Sequence, residues 1–325
     1  MLSRVADSLY WMARYLERAE HTARLIDVNL SLMLEQSDAQ SRQRVERLLA
    51  GLVATLPETI SAEDPRQVLQ YLTFDKGNPN SILLCVTNAR ENARQVREQI
   101  SSEMWEQLNR LYLQMKAASV EQVWKSQPHA FYRSVKEGTH LFQGITDATI
   151  AHGQGWSFIR LGASIERAVA TARQLDIYYS EFASQGNEHE LLTAAEYLEF
   201  VGLLRTCSAF EAYCKVYRAS FRRDTIAEFI LLNREFPRSV RFAFNTVVED
   251  LRLISSQTET HRARELNRIA GRLSSRLDFS RIDEIIDEGL AEFLAGIQNE
   301  CELIHSLIRD AYIVYPIQGA LILQS

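Results

Sequence analysis

Two acidic-basic dipeptides carry most of the chemistry that this sequence offers. Glu17-Arg18 sits in "YLERAEHTARLID" (15–27), and Glu166-Arg167 sits in "SIERAVATARQLD" (164–176). Seven of the thirteen positions are identical between the two stretches, and they include Arg24 and Arg173. A carboxylate can hold a cation or move a proton, and a guanidinium grips a carboxylate with a planar two-pronged fork. Neighbouring residues on a helix point about 100° apart, so Glu17 and Arg18 cannot reach the same partner. The simplest arrangement of two such copies is reciprocal, Glu17 with Arg167 and Glu166 with Arg18. One outcome is a buried structural ion-pair network, which adds little net stability over an apolar core. The other is a polar pocket for binding or acid/base work, lined by Glu17, Arg18, Glu166, Arg167, Arg24 and Arg173.

Both phrases need long helices to carry them. Apolar residues at Val5, Leu9, Met12, Ala13, Leu16, Ala19, Ala23, Ile26 and Leu30 recur every three or four positions and predict a helix over about 3–35. On that helix Arg18 shares a side with Trp11, Tyr15 and Thr22, and Glu17 shares one with His21 and Arg24. Apolar and aromatic stripes on different sides predict a helix contacted around most of its circumference. Further helices are expected at about 40–56, 65–74 (opened by Asp64-Pro65), 80–100, 102–117 and 128–150. "AHGQG" (151–155) breaks the chain, and the second phrase follows in a helix of about 156–184. "SQGN" (184–187) reads as a turn. Helices are then expected at about 189–221, 223–233, 237–256, 259–277 and 281–314. The apolar tail around Pro316, Tyr312 to Leu323, reads as a strap over a seam or a docking segment.

The repetition extends beyond one phrase. "NPNSILLCVTNARENARQV" (78–96) aligns with "FPRSVRFAFNTVVEDLRLI" (236–254), sharing Pro79/Pro237, Ser81/Ser239, Glu91/Glu249 and Arg94/Arg252. "EGTHLFQGITDATI" (137–150) aligns with "ECELIHSLIRDAYI" (300–313). The three matches fall in chain order at rising offsets, as small loop insertions would produce. The expected fold is therefore all-α: one large helical bundle of about ten to twelve helices over 1–325, built from two pseudo-repeated halves, about 1–152 and 153–325. Two such halves would close about an approximate two-fold axis.

Composition narrows the function classes. A net charge of −6 lacks the basic footprint of a nucleic-acid binder. Arg4, Asp7 and Arg14 interrupt the first apolar residues, which excludes a signal peptide, and no apolar run is long enough to span a membrane. Cys85, Cys207, Cys214 and Cys301 form no Cys-x-x-Cys pair and read as core residues in a reducing, cytoplasmic setting. Cys207 and Cys214 are expected on one helix face, together with the Phe210, Tyr213, Tyr217 and Phe221 stripe. Glu302-x-x-His305 has the spacing of a carboxylate-bridged metal site but lacks a second copy, and Glu17, Glu20 and His21 offer only part of one. No phosphate loop, dinucleotide fingerprint or nucleophile elbow is present, so no cofactor and no metal is expected.

"MLSRVADSLYWMARYLERAEHTARLID", "GNPNSIL", "ARENARQVREQISSEMWEQLN" and "LGASIERAVATAR" together resemble the bacterial alpha-E family over essentially the whole chain. The resemblance implies an all-helical protein named for a Glu-Arg motif, here Glu17-Arg18 with Glu166-Arg167 as the second occurrence. His21 takes no family role. The resemblance also implies company with ATP-grasp ligases and transglutaminase-like proteins. It suggests an accessory partner in peptide or amide-bond synthesis, the alternative being an enzyme of that chemistry that uses the paired motifs. Self-association stays open, and neither substrate nor reaction can be read from the residues.

Overall fold

Local signals set where the helices begin. In the computed structural model, which describes residues 1–33, 38–125, 127–182, 191–218, 220–256 and 260–313, helix after helix starts on a side chain that caps free backbone N–H groups. Asp64 accepts from Arg66 and Gln67, Ser81 from Leu84, Ser101 from Met104, Ser239 from Phe242 and Thr260 from Ala263. Thr193 and Glu196 form a reciprocal capping box. Pro65 and Pro128 occupy first-turn positions, where a missing N–H costs nothing.

The helices are α1 (Ser3–Met33), α2 (Asp38–Gly51), α3 (Pro65–Phe74), α4 (Ile82–Gln95), α5 (Ser102–Ala117), α6 (Val120–Lys125), α7 (Pro128–Thr149), α8 (Gln154–Phe182), α9 (Ala194–Thr206), α10 (Phe210–Tyr217), α11 (Arg223–Leu232), α12 (Val240–Ser255), α13 (His261–Phe279), α14 (Ile282–Glu288) and α15 (Leu290–Ile308). A π-helical turn, Arg309–Ile313, follows. The described residues contain no strand beyond an isolated bridge between Leu191 and Arg222.

The all-α expectation holds, but there are fifteen helices among the described residues instead of ten to twelve. Two local breaks and one additional short helix account for the difference. The expected 189–221 helix stops at Thr206 because Ser208 turns left-handed (φ 54°), and α10 ends at Arg218 (φ 50°). Cys207 and Cys214 therefore lie in different elements, and Phe221 lies beyond α10. The aromatic stripe still packs: Tyr213 stacks on Tyr217 at 4.8 Å and meets Phe229 edge-on at 5.7 Å. The expected 281–314 helix divides at Gly289, whose φ of 112° suits a residue without Cβ. The third addition is α6, six residues long with Val120 and Val123 buried, too short to show a period. The second helix ends at Gly51 rather than 56, because Val53 is left-handed (φ 50°). The turn expected at 184–187 and residues 314–323 of the expected strap lie outside the described residues. Tyr312, in the π-helical turn, meets Phe158 edge-on at 5.7 Å.

The two longest helices, α1 and α8, form the centre. α1 packs against α4, α7 and α8, and α8 packs against α12, α15 and α1. Around α1, α4 touches α5 and α5 touches α7; around α8, α12 touches α13 and α13 touches α15. Tyr10 meets Gly162 and Arg14 meets Glu166, so the two central helices run side by side in the same direction. Gly162 permits this approach: a Cβ there would lie 2.3 Å from the carbonyl oxygen of Tyr10. No helix among the described residues is long and apolar enough to cross a membrane.

Candidate functional site

The close approach of α1 and α8 decides which charges meet. Arg167 reaches across to Glu17, Nε to Oε1 at 2.7 Å and Nη2 to Oε2 at 2.8 Å. Arg18 reaches the other way to Glu166, Nε to Oε1 at 2.6 Å and Nη2 to Oε2 at 3.2 Å. Both contacts are the two-pronged kind that fixes direction as well as charge. Glu166 also accepts from Arg14 Nε at 2.7 Å. Glu17 accepts from Gln143 at 3.1 Å and lies 3.5 Å from Arg238 Nη1.

The two loops that precede α4 and α12 complete the cluster. Asn80 accepts from Arg18 Nη1 at 2.9 Å, and Arg238 donates to Glu20 at 3.0 Å. The carbonyl of Pro237 lies 3.5 Å from Arg167. Each loop ends on a capping serine, Ser81 or Ser239, and the residue just before that cap is the one that enters the cluster.

A cavity of about 210 Å³ opens beside these pairs. Arg14, Glu17, Arg18, Glu166, Arg167, Arg173 and Arg238 line it, with His21, Asn80, Cys301, Glu302 and His305. Five arginines thus face three glutamates. Of the six residues expected at the site, five line the cavity. Arg24 does not: it pairs with Glu20 and approaches His140 at 3.4 Å. Arg14, Asn80 and Arg238 were missed by sequence reasoning, which singled out His305 only for its spacing from Glu302. The Pro-x-Ser match at 79–81 and 237–239 flanks Asn80 and Arg238, and was the signal that could have found them.

The carboxylates are locked as anions. Burial disfavours the Glu166 charge, but Arg14 and Arg18 outweigh it and bring the pKa down to about 2. Burial likewise opposes the Glu17 charge, and Arg167 and Arg238 more than offset it. Glu20 is held well below its ordinary value, burial again being outweighed, chiefly by Arg238. Cys301 is no nucleophile, because burial pushes its thiol up to about 12. Burial brings both histidines down to about 4, helped at His305 by Arg14 and Arg309.

The geometry sets the His305 tautomer. Arg14 Nη1 can only donate and lies 3.0 Å from Nδ1, so Nδ1 accepts and the ring is neutral. The Tyr10 hydroxyl is 2.9 Å from the same nitrogen. A protonated ring would set an N–H against the guanidinium. Because the folded pKa lies below the ordinary 6.5, this neutral histidine contributes stability that is fully present above pH 6.5 and lost as pH falls through about 4. Asp250 works in the opposite sense. Burial raises its pKa from 3.8 to about 7, so its contribution is fully present below 3.8 and lost as pH rises through 7. Comparison of wild type with His305→Asn cancels that background. The stability difference between the two proteins is expected to shrink as pH falls from 6.5 to 4, measured by urea denaturation at each pH. A difference that stays flat across this window would refute the tautomer.

Among the described residues no group of three or more His, Cys, Asp or Glu side chains could hold a metal ion. Glu302 and His305 line the cavity wall without a second such pair to complete a ligand set.

Fold and site together define a class: an all-helical protein built around two central helices, with reciprocal Glu-Arg pairs at its core. The chain belongs to the Alpha-E family, a predicted alpha-helical domain with a conserved ER motif, which matches residues 1–313. It is also 25% identical, over 333 residues and 94% of its length, to the uncharacterized proteins Mb2597 of Mycobacterium bovis and MT2643 of Mycobacterium tuberculosis. The chain spans 36% of the length of these relatives. No solved structure matches the chain.

Proposed function

We propose that this protein is a binding partner of an ATP-grasp ligase in peptide or amide-bond synthesis or modification, and that the ligase supplies the chemistry. The observation that carries the non-catalytic part is the ionisation of the central carboxylates. Glu166, with a pKa of about 2, gives up no proton at neutral pH and is too weak a base to take one. The two Glu-Arg pairs frame a cavity and hold its walls in place. The alternative, an enzyme using the same pairs, keeps one point in its favour: the pairs line open space rather than a dry core.

The partner's identity rests on the family resemblance, which also brings in a transglutaminase-like protein as a second companion. We further propose that the chain is one domain made of two related halves, about 1–152 and 153–325, and that it acts in the cytoplasm. Support for the halves comes from the matched neighbours: α1 and α8, α4 and α12, α5 and α13, and α7 and α15 repeat the same packing pattern.

Co-purification with an ATP-grasp ligase from the same genome, followed by an ATP-dependent ligation assay, tests the partnership. Ligation is expected to rise when this protein is added, and the protein alone is expected to be inactive. Turnover by the protein alone would favour the enzyme, and an unresponsive ligase would sink the partnership.

A further inference from the structure

Arg173 stands apart from the other arginines of the cavity. Arg14, Arg18, Arg167 and Arg238 each hold a glutamate. Arg173 lines the same wall, about two turns along α8 from Glu166, and makes no hydrogen bond or ion pair with the described residues. It is partly buried, and burial lowers its pKa, a cost that the more distant Glu166 and Glu302 charges only partly oppose. Desolvating a guanidinium without a partner is expensive, so a fold that retains one in a cavity gains from it elsewhere. A second unspent polar group faces the same space: His21 lines the cavity, and its Nε2 is buried without a partner.

We propose that the cavity is an oxyanion site in which Arg173 is the docking cation, and that it takes a small organic molecule ending in a carboxylate or a phosphate. Five arginines against three glutamates leave the wall short of negative charge. Glu17 and Glu166 are already engaged by Arg14, Arg18, Arg167 and Arg238, and Glu302 acts on Arg173 only as a nearby charge, without an ion pair. A volume of about 210 Å³ exceeds what a bare phosphate fills, and Ile165, Val169 and Ala170 supply apolar wall for an organic body. The planar fork of Arg173 suits either anion. This inference deepens the binding role proposed above and rests on it, but its test needs no ligase.

Inorganic phosphate and glutarate are titrated separately into the full chain by isothermal calorimetry, at matched ionic strength. At least one is expected to bind saturably at one site. Arg173→Gln is expected to weaken that binding by about ten- to a hundredfold, the loss of a charged hydrogen bond. Arg173→Lys should retain part of it. Binding of phosphate alone points to a phosphorylated ligand, and binding of glutarate alone to a carboxylate. The melting temperature of ligand-free Arg173→Gln is expected to match or exceed wild type, since an uncompensated cation has been removed. Three results would overturn the proposal: no saturable heat from either anion, unchanged affinity in Arg173→Gln, or a ligand-free melting temperature clearly below wild type. A ligase that ignores this protein while anion binding persists would remove the partnership and leave the site standing.

Discussion

Glu166→Gln is expected to destabilise the protein by about 3–5 kcal/mol, the cost of leaving a buried charge without its partner. The substitution is nearly isosteric, so packing hardly changes. Arg14 and Arg18 both donate to this carboxylate, and both are largely enclosed. A neutral amide cannot balance two guanidiniums, and water reaches them poorly. Chemical denaturation of the full chain measures the effect as a shift in the unfolding midpoint. The magnitude comes from orphaned charge and not from a large intrinsic worth of the pair. Replacing Arg14, Arg18 and Glu166 together by methionine is therefore expected to recover most of the loss, because exchanging a whole buried ionic cluster for apolar residues is often close to neutral. A triple variant no more stable than Glu166→Gln would show that the cluster itself stabilises the fold. A Glu166→Gln protein as stable as wild type would mean that the carboxylate is not engaged in solution as its geometry requires.

Gly162→Ala should be nearly as damaging, although it adds one methyl group. That carbon would sit 2.3 Å from the Tyr10 carbonyl oxygen, 3.1 Å from its carbonyl carbon and 3.3 Å from its Cα. All three are backbone atoms of α1, which no rotamer change can move aside. The helices must separate, and every contact between the Glu-Arg pairs lengthens with them. A cost of about 3 kcal/mol, the upper end for overpacking, is expected. Gly144 in α7 supplies the internal control, since a Cβ there meets nothing within 4 Å. Gly144→Ala should stabilise by about 0.5–1 kcal/mol, the ordinary gain from removing a helical glycine. The same substitution thus carries opposite signs in two helices. Equal effects at the two sites would mean that α1 and α8 do not approach as closely as the structure places them.

The contrast between these two glycines also marks what sequence reasoning can see. Each is one glycine inside a helix, and periodicity treats them alike. One faces open space and the other faces a neighbouring backbone, a difference that depends on a residue 152 positions away in the chain. Ser208 and Gly289 were hard to see for a related reason. Their flanks continue the apolar period, so a single left-handed residue hardly disturbs the pattern, yet it redirects everything that follows.

The chain's own order of residues determined the all-helical character, most helix starts and the repeated Glu-Arg phrase, because capping, proline placement and amphipathic spacing act over a few neighbours. Reciprocity of Glu17 with Arg167 and of Glu166 with Arg18 could be anticipated from the duplication of that phrase. Tertiary structure alone decided that Arg14, Asn80, Arg238 and His305 join them, that Arg24 turns away to Glu20, and that Arg173 faces a cavity without a partner. An apolar stripe states which side of a helix is covered, but says nothing about which helix covers it. Where charges converge is set by the distance and direction between helices far apart in the chain, here by one glycine that lets α8 lie against the backbone of α1.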